Sequence, residues 1–119
     1  MRRLTNKEEI IMQIFWDHGA LFVRELRELY PDPKPHFNTL STQIRTLESD
    51  GFLAHNTYGS SFQYYPAVSR KEYGRAFLSI FIDKCFGSSY LEAVSALVKA
   101  EKISKEELRE LIEQIEREQ

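Results

Sequence analysis

The segment from His36 to Asp50 carries the side chains with the most specific recognition chemistry in this chain. Its apolar residues recur at helical spacing and predict one buried helix side, formed by Phe37, Leu40, Ile44 and Leu47. The opposite side then presents amides, hydroxyls and one guanidinium, on Asn38, Ser41, Thr42, Arg45 and Ser49, with Thr39, Gln43 and Thr46 on its flanks. Such groups can recognise base edges in the major groove of DNA, where arginine pairs with guanine and asparagine with adenine. A helix side that is merely polar and exposed has a similar composition.

A second set of polar side chains lies between two strand-forming runs, Phe52–Thr57 and Phe62–Ala67. Both runs contain residues that favour strands, most clearly the three aromatic residues of the second run, and the glycine-containing link between them predicts a hairpin. Polar groups near its tip could donate to phosphates, a contact that positions a protein without recognising sequence. These candidates are His55, Tyr58 and Ser60. An ordinary exposed turn would have the same residues. Further candidate phosphate contacts are Arg2, Arg3, Lys34 and His36.

Sequence patterns typical of catalysis or metal binding are not visible. The three histidines, His18, His36 and His55, are scattered, and neither a zinc-protease helix motif nor a phosphate-binding glycine loop occurs. Cys85 is the single cysteine, and we expect it to be a small buried side chain. We therefore expect no enzyme activity, no metal and no cofactor, with a small enzyme as the remaining alternative.

Helix signals recur along the whole chain. The pattern Ser/Thr-x-x-Glu, which caps the first turn of a helix, starts at Thr5, Ser69, Ser89 and Ser104. Three prolines between residues 31 and 35 break the chain before the His36 segment. The predicted helices are Asn6–Asp17, Val23–Tyr30, His36–Asp50, Arg70–Phe86, Tyr90–Ala100 and Lys105–Glu118.

The order of these elements is three helices, a hairpin and three further helices. This order predicts a mainly α protein with a small β-hairpin, in which a winged helix-turn-helix domain precedes a C-terminal helical region. We expect residues 1–68 to form the winged domain, with the third helix in the major groove. Residues 69–119 would then form a helical dimerisation region.

The charge of the chain gives no independent support for DNA binding. The net charge is −2, and residues 1–66 hold seven Lys/Arg against eight Asp/Glu. Because release of counterions from phosphates drives much of protein–DNA affinity, a DNA interface here would have to be a local basic patch. The near-neutral charge also favours an alternative, a winged-helix module that binds protein and not DNA.

The C-terminal helices carry more apolar residues than one small domain can cover. Surplus apolar surface of this kind often marks a subunit interface, although the helices could instead fold back as a monomeric core. The candidate dimerisation residues are Tyr73, Phe77, Phe81, Leu91, Val94, Leu97, Leu108, Leu111, Ile112 and Ile115. A two-fold dimer would contact half-sites about 10 base pairs apart, or a multiple of that spacing.

The chain resembles the penicillinase-repressor family from Leu4 to about Ile115. The resemblance rests on short segments in matching order, namely Ile14-Phe15-Trp16, Val23-Arg24-Glu25-Leu26, residues 39–44, Gly51-Phe52-Leu53, residues 62–66 and Phe86-Gly87-Ser88. It implies a homodimeric repressor of palindromic, double-stranded operator DNA. The positions that match the family's DNA-facing residues are Asn38, Thr39, Thr42, Arg45 and Thr46. The family commonly has Thr-Arg where this chain has Arg45-Thr46.

The resemblance also implies a means of release. In well-known members, a membrane sensor protease triggers cleavage of the repressor, at a bond that corresponds by position to Ala96-Leu97. Copper-responsive relatives carry a C-terminal cysteine motif that the single Cys85 does not provide. We expect a cytoplasmic protein without membrane insertion, since the N-terminus lacks the apolar run of a signal peptide.

Overall fold

The computed structural model describes residues 1–118 and confirms a mainly α winged-helix architecture with additional C-terminal helices. The elements in chain order are α1 (Asn6–His18), β1 (Leu21–Phe22), α2 (Val23–Leu29), α3 (Phe37–Ser49), β2 (Leu53–Tyr58), β3 (Ser61–Pro66), α4 (Arg70–Cys85), α5 (Tyr90–Lys99) and α6 (Lys105–Glu118). The chain divides into two compact units, Met1–Phe77 and the residues from Leu78 onward.

The predicted caps explain where the helices begin. At α1, the Thr5 hydroxyl accepts a hydrogen bond from the Glu8 N–H (3.2 Å), and the Glu8 carboxylate accepts one from the Thr5 N–H (2.9 Å). The same reciprocal pair forms between Ser69 and Glu72 and between Ser104 and Glu107. At Ser89 the structure has the hydroxyl half of this arrangement. Each cap satisfies amide donors that the first helical turn leaves without partners.

The hairpin belongs to a three-stranded antiparallel sheet with the strand order β1-β3-β2. Leu21 of β1 and His55 of β2 both lie opposite Tyr64 of β3. The prediction of a two-stranded hairpin was therefore incomplete, because two residues are too few to show a strand periodicity. The added strand places the start of α2 beside β3 and its neighbouring turn.

The core of the first unit joins α1, α2, α3 and the sheet. Its fully buried side chains include Ile11, Phe15, Leu26, Leu40, Ile44, Leu47 and Phe52. The predicted burial of Leu40, Ile44 and Leu47 is confirmed. The predicted burial of Phe37 was wrong, because this first residue of α3 lies beyond the core and is 49% exposed. Leu29 of α2 and Ile10 of α1 are exposed as well.

The first turns of α4 complete this core. The Tyr73 hydroxyl accepts a hydrogen bond from the Leu4 N–H (2.9 Å), and the Tyr73 ring lies 4.9 Å from that of Phe77, between centroids. The indole N–H of Trp16 donates to the carbonyl of Val68 (2.9 Å). The Trp16 ring also lies 5.8 Å from that of Tyr73, between centroids, so the segment after the hairpin is fixed to α1 by both polar and aromatic contacts.

Arg2 forms a partly buried ion pair that connects the N-terminus with α1 and the end of α3. Its guanidinium donates two hydrogen bonds to the Glu8 carboxylate (2.8 and 2.7 Å) and one to Asp50 (2.8 Å). The hydrogen bonds from Arg2 to the Glu8 carboxylate, together with that from the Thr5 N–H, lower the pKa of Glu8 from its ordinary value of 4.5 to about 2. The ionised carboxylate is thus favoured in the folded state.

This ion pair predicts a loss of stability in acid. Because the folded-state pKa of Glu8 is lowered, its stabilisation is present above pH 4.5 and disappears as the pH falls toward 2. A shift of this size corresponds to about 3 kcal/mol in the free energy of unfolding. Urea unfolding at several pH values should show that Glu8→Gln lowers stability at pH 7 and flattens the acid dependence.

The control is Glu9→Gln, which removes a carboxylate from the same helical turn but outside the Arg2 ion pair. We expect this variant to keep the acid dependence of the unmodified protein. An equally steep acid dependence in Glu8→Gln would contradict the role of the Arg2–Glu8 pair.

Candidate nucleic-acid interface

The outer side of α3 is the polar surface that the sequence predicted. Burial of Leu40, Ile44 and Leu47 turns the other residues outward, since positions three and four apart share a helix side. Ser41 is half-buried, and the exposed residues are Asn38, Thr39, Thr42, Arg45 and Thr46. The structure thus brings the helix candidates together on one surface.

Two threonine hydroxyls of this surface donate to their own helix. Thr42 donates to the carbonyl of Asn38 (3.0 Å), and Thr46 donates to the carbonyl of Thr42 (3.1 Å). The Arg45 guanidinium in turn donates to the Thr42 hydroxyl oxygen (3.3 Å). With the hydroxyl protons used in this way, the threonines offer oxygen lone pairs and methyl groups to a ligand. Methyl groups suit contact with the thymine methyl in the major groove.

The turn between β2 and β3 forms the tip of the wing. Gly59 has φ +60°, a left-handed conformation that glycine adopts without strain, so the two strands can reverse over two residues. Tyr58 and Ser60 are exposed at this tip. Both are placed where a side chain could donate to a phosphate.

His55 lies away from the tip and faces α3. Its Nδ1 shares a hydrogen bond with the Glu48 carboxylate, and its ring stacks on Phe62 with the centroids 4.1 Å apart. The histidine is half-buried by these contacts. It therefore links β2 to the recognition helix, an arrangement that depends on strand register and could not be inferred from sequence.

A groove of about 620 Å³ separates α3 from the wing. Its lining is mostly aromatic and hydroxyl-bearing and consists of Phe22, Val23, Arg24, Phe37, Ser41, Arg45, Tyr58, Ser60, Ser61, Phe62 and Tyr64. The sequence had placed Phe37 in the core and had given Arg24 no role in DNA binding. Arg24 reaches the groove because β1, which ends two residues before it, pairs with β3. Phe37 lies there because the core ends before the first turn of α3.

Two of the predicted phosphate contacts are used within the fold. Lys34 donates to the carbonyls of Arg27 (3.2 Å), Glu28 (2.9 Å) and Tyr30 (2.6 Å), so its three N–H groups stabilise the end of α2. Arg2 is held by Glu8 and Asp50. Arg3 and His36 are exposed.

The candidate dimerisation residues fall into two groups. Tyr73 and Phe77 are half-buried in the first unit. In the second unit, Leu108 is half-buried, and the exposed residues are Phe81, Leu91, Val94, Leu97, Leu111, Ile112 and Ile115. The expectation that Cys85 is buried was wrong, since this residue near the end of α4 is exposed in the chain.

The bond that the family resemblance marked for cleavage lies within α5. Ala96 and Leu97 are both exposed. The carbonyl of Ala96 accepts a hydrogen bond from the Ala100 N–H (2.9 Å), and that of Leu97 accepts one from the Lys102 N–H (3.0 Å). A protease would have to open this last part of α5 before cutting the bond.

Three helices followed by a paired wing, with α3 exposed beside it, define a winged-helix protein. The sequence model of the penicillinase repressor family matches residues 4–117, and the chain belongs to this family. As a member it is a DNA-binding transcriptional repressor.

The solved structure of the CopR repressor is similar to part of the chain. The two share 26% sequence identity over 55% of this chain and 96% of that one, with a TM-score of 0.47. A search of the curated proteins gave no match.

Two further features concern the described residues alone. No group of three His, Cys, Asp or Glu side chains that could hold a metal ion occurs within residues 1–118. Each helix in that range is too short or too polar to span a bilayer.

Proposed function

We propose that the protein acts as a homodimer on a palindromic operator, with α3 of each protomer in the major groove. Residues 1–68 would bind the DNA, and the helices that follow would join the protomers. The observation that carries this proposal is the outer side of α3, where Asn38, Thr42 and Arg45 are exposed. The first carboxylate along this helix is that of Glu48, near its C-terminal end. Amide and methyl groups distinguish base pairs in the major groove, and a guanidinium can bind either a base edge or a backbone phosphate.

The wing would contact the DNA backbone. Tyr58 and Ser60 supply hydroxyl donors at its tip, and the His55–Glu48 hydrogen bond holds β2 against α3. A wing that is already held in one orientation loses less conformational entropy on binding the phosphates than a mobile wing would. Such contacts fix the position of α3 in the groove and leave sequence recognition to α3 itself.

The proposal of a dimer is supported by the second unit. Most apolar residues of α5 and α6 are exposed in a single chain, and Leu91 is 84% exposed. A second copy of the chain would cover these residues and would bring two recognition helices to one side of a duplex. The half-sites would then be separated by about 10 base pairs or a multiple of this distance.

The test is binding to the promoter region upstream of the protein's own gene. We expect a titration with labelled DNA to show tighter binding to this region than to a shuffled duplex of the same length. A hydroxyl-radical footprint should show two protected half-sites related by two-fold symmetry. A folded dimer that binds both duplexes equally at low salt would contradict the proposal and would favour a protein-binding module.

We also propose that release of the operator follows cleavage between Ala96 and Leu97, triggered by a membrane sensor protease. A cut at this bond would separate α6 from the rest of the chain and would remove Leu111, Ile112 and Ile115 from the proposed dimer surface. A chain with an engineered protease site at residues 96 and 97 should leave operator DNA once it is cut. Continued tight binding by the cut protein would exclude this means of release.

A further inference from the structure

The charges in the groove between α3 and the wing are of one sign. Among the residues that line it, Arg24 and Arg45 are the charged ones, and the others are aromatic, hydroxyl-bearing or aliphatic. The ion pairs within residues 1–118 use Arg2, His55 and Arg70, so both groove arginines are available to an anion. The groove therefore favours a ligand that carries negative charge.

The same groove exposes apolar rings to water. Phe37, Tyr58 and Phe62 are 49%, 55% and 44% exposed. A ligand that covers these rings would gain from the removal of apolar surface from water. The serines Ser41, Ser60 and Ser61 add hydroxyl donors between the rings and the arginines.

A sugar–phosphate backbone has this combination of properties, because apolar deoxyribose faces alternate with anionic phosphates along the strand. Arginine binds phosphate oxygens through charge-assisted, often paired hydrogen bonds. The position of the groove also fits, because it lies directly beside the outer side of α3. A strand that borders the major groove would pass there if α3 entered that groove.

We infer that this groove holds the sugar–phosphate backbone of one operator strand, with phosphates bound by Arg24 and Arg45 and deoxyriboses against Phe37 and Phe62. The inference rests on the proposed function. It assigns Arg45 to the DNA backbone and leaves base recognition to the rest of α3, such as Asn38 and the threonine methyls. It also gives Arg24, which lies outside α3, a direct role in affinity.

The experiment compares the full-length protein with single variants on operator and shuffled duplexes, titrated at several KCl concentrations. We expect Arg24→Ala and Arg45→Ala each to weaken binding to both duplexes by a similar factor, roughly tenfold. Each should reduce the magnitude of the slope of log K against log [salt] by about one, because one phosphate contact is lost. Phe62→Ala should weaken binding and leave this slope unchanged, since no charge is removed.

The matched control is Arg75→Ala, which removes an exposed arginine of α4 that does not line the groove. Its binding and salt dependence should equal those of the unmodified protein. An unchanged salt dependence in Arg24→Ala, with circular dichroism showing a folded protein, would overturn the inference. So would an Arg45→Ala variant that loses affinity for the operator alone, because that result marks a base contact.

The failure of this inference can be distinguished from failure of the proposed function. If the unmodified protein does not prefer the operator, the proposed function fails whatever the variants do. If it prefers the operator and the groove variants bind as tightly as it does, only the groove assignment fails.

Discussion

Phe52→Ala is expected to lower the free energy of unfolding by about 3–5 kcal/mol. Phe52 is fully buried where α3 ends and β2 begins. Its N–H donates to the carbonyl of Leu47 (2.9 Å), and its own carbonyl accepts from the Ala67 N–H (2.9 Å). Its ring lies 6.2 Å from that of Tyr73, between centroids. Removal of this ring would leave a cavity between α3, the sheet and α4 that these fixed elements cannot easily fill.

The effect would be a large fraction of the total stability, since domains of this size are stable by about 5–15 kcal/mol. Urea unfolding can be followed by the fluorescence of Trp16, which is the single tryptophan and packs against the same core. The midpoint of unfolding should fall strongly. We also expect the variant to lose DNA binding near physiological temperature, because unfolding of the first unit removes the α3 surface.

Phe37→Ala is the matched control for this substitution. It removes the same atoms from a ring that is half exposed at the start of α3, so its cost should stay below about 1 kcal/mol. This variant should fold normally and show its defect in DNA binding. Equal losses of stability in both variants would contradict the placement of Phe52 in the core and of Phe37 in the groove.

The sequence predicted the helices well because their ends are coded locally. Thr5 and Glu8, or Ser104 and Glu107, satisfy backbone donors within four residues, so the pattern alone indicates where a helix begins. The winged-helix class followed from the order of elements. The outward side of α3 followed from helical periodicity once Leu40, Ile44 and Leu47 were assigned to the core.

Other features could not be predicted because they depend on contacts between distant residues. The two residues of β1 form a strand only by pairing with β3, and this pairing brings Arg24 to the groove. His55 was expected at the wing tip, but the register places it opposite Tyr64, within reach of Glu48. The periodicity that predicted Leu40 inside α3 also predicted Phe37, although the core ends before the first turn of that helix.

The apolar side of α6 is the feature of the second unit that most requires a partner. No residue of this helix is buried, and Leu111, Ile112 and Ile115 are all about half exposed. Helices of this length are only marginally stable in water unless their apolar side packs against another element or another subunit. A second copy of the chain is the partner that the proposed function supplies.

Ile112→Glu is therefore expected to give a monomer and to weaken operator binding at least a hundredfold. A buried carboxylate without a partner would face the apolar residues of the other protomer, at a cost of several kcal/mol. Loss of the dimer also removes the gain from binding two linked half-sites, which can reach 10² to 10⁴ in affinity. Sedimentation velocity would measure the mass, and a DNA titration the affinity.

The matched control is Gln114→Glu, which adds the same charge to α6 two residues away. Successive helix positions turn by about 100°, so this residue points away from Ile112. We expect this variant to remain a dimer with unchanged operator affinity, which would show that the defect of Ile112→Glu comes from the apolar side and not from added charge. A dimeric Ile112→Glu protein with normal affinity would mean that the apolar side of α6 does not form the dimer interface. The two recognition helices would then have to be joined through a different surface of the chain.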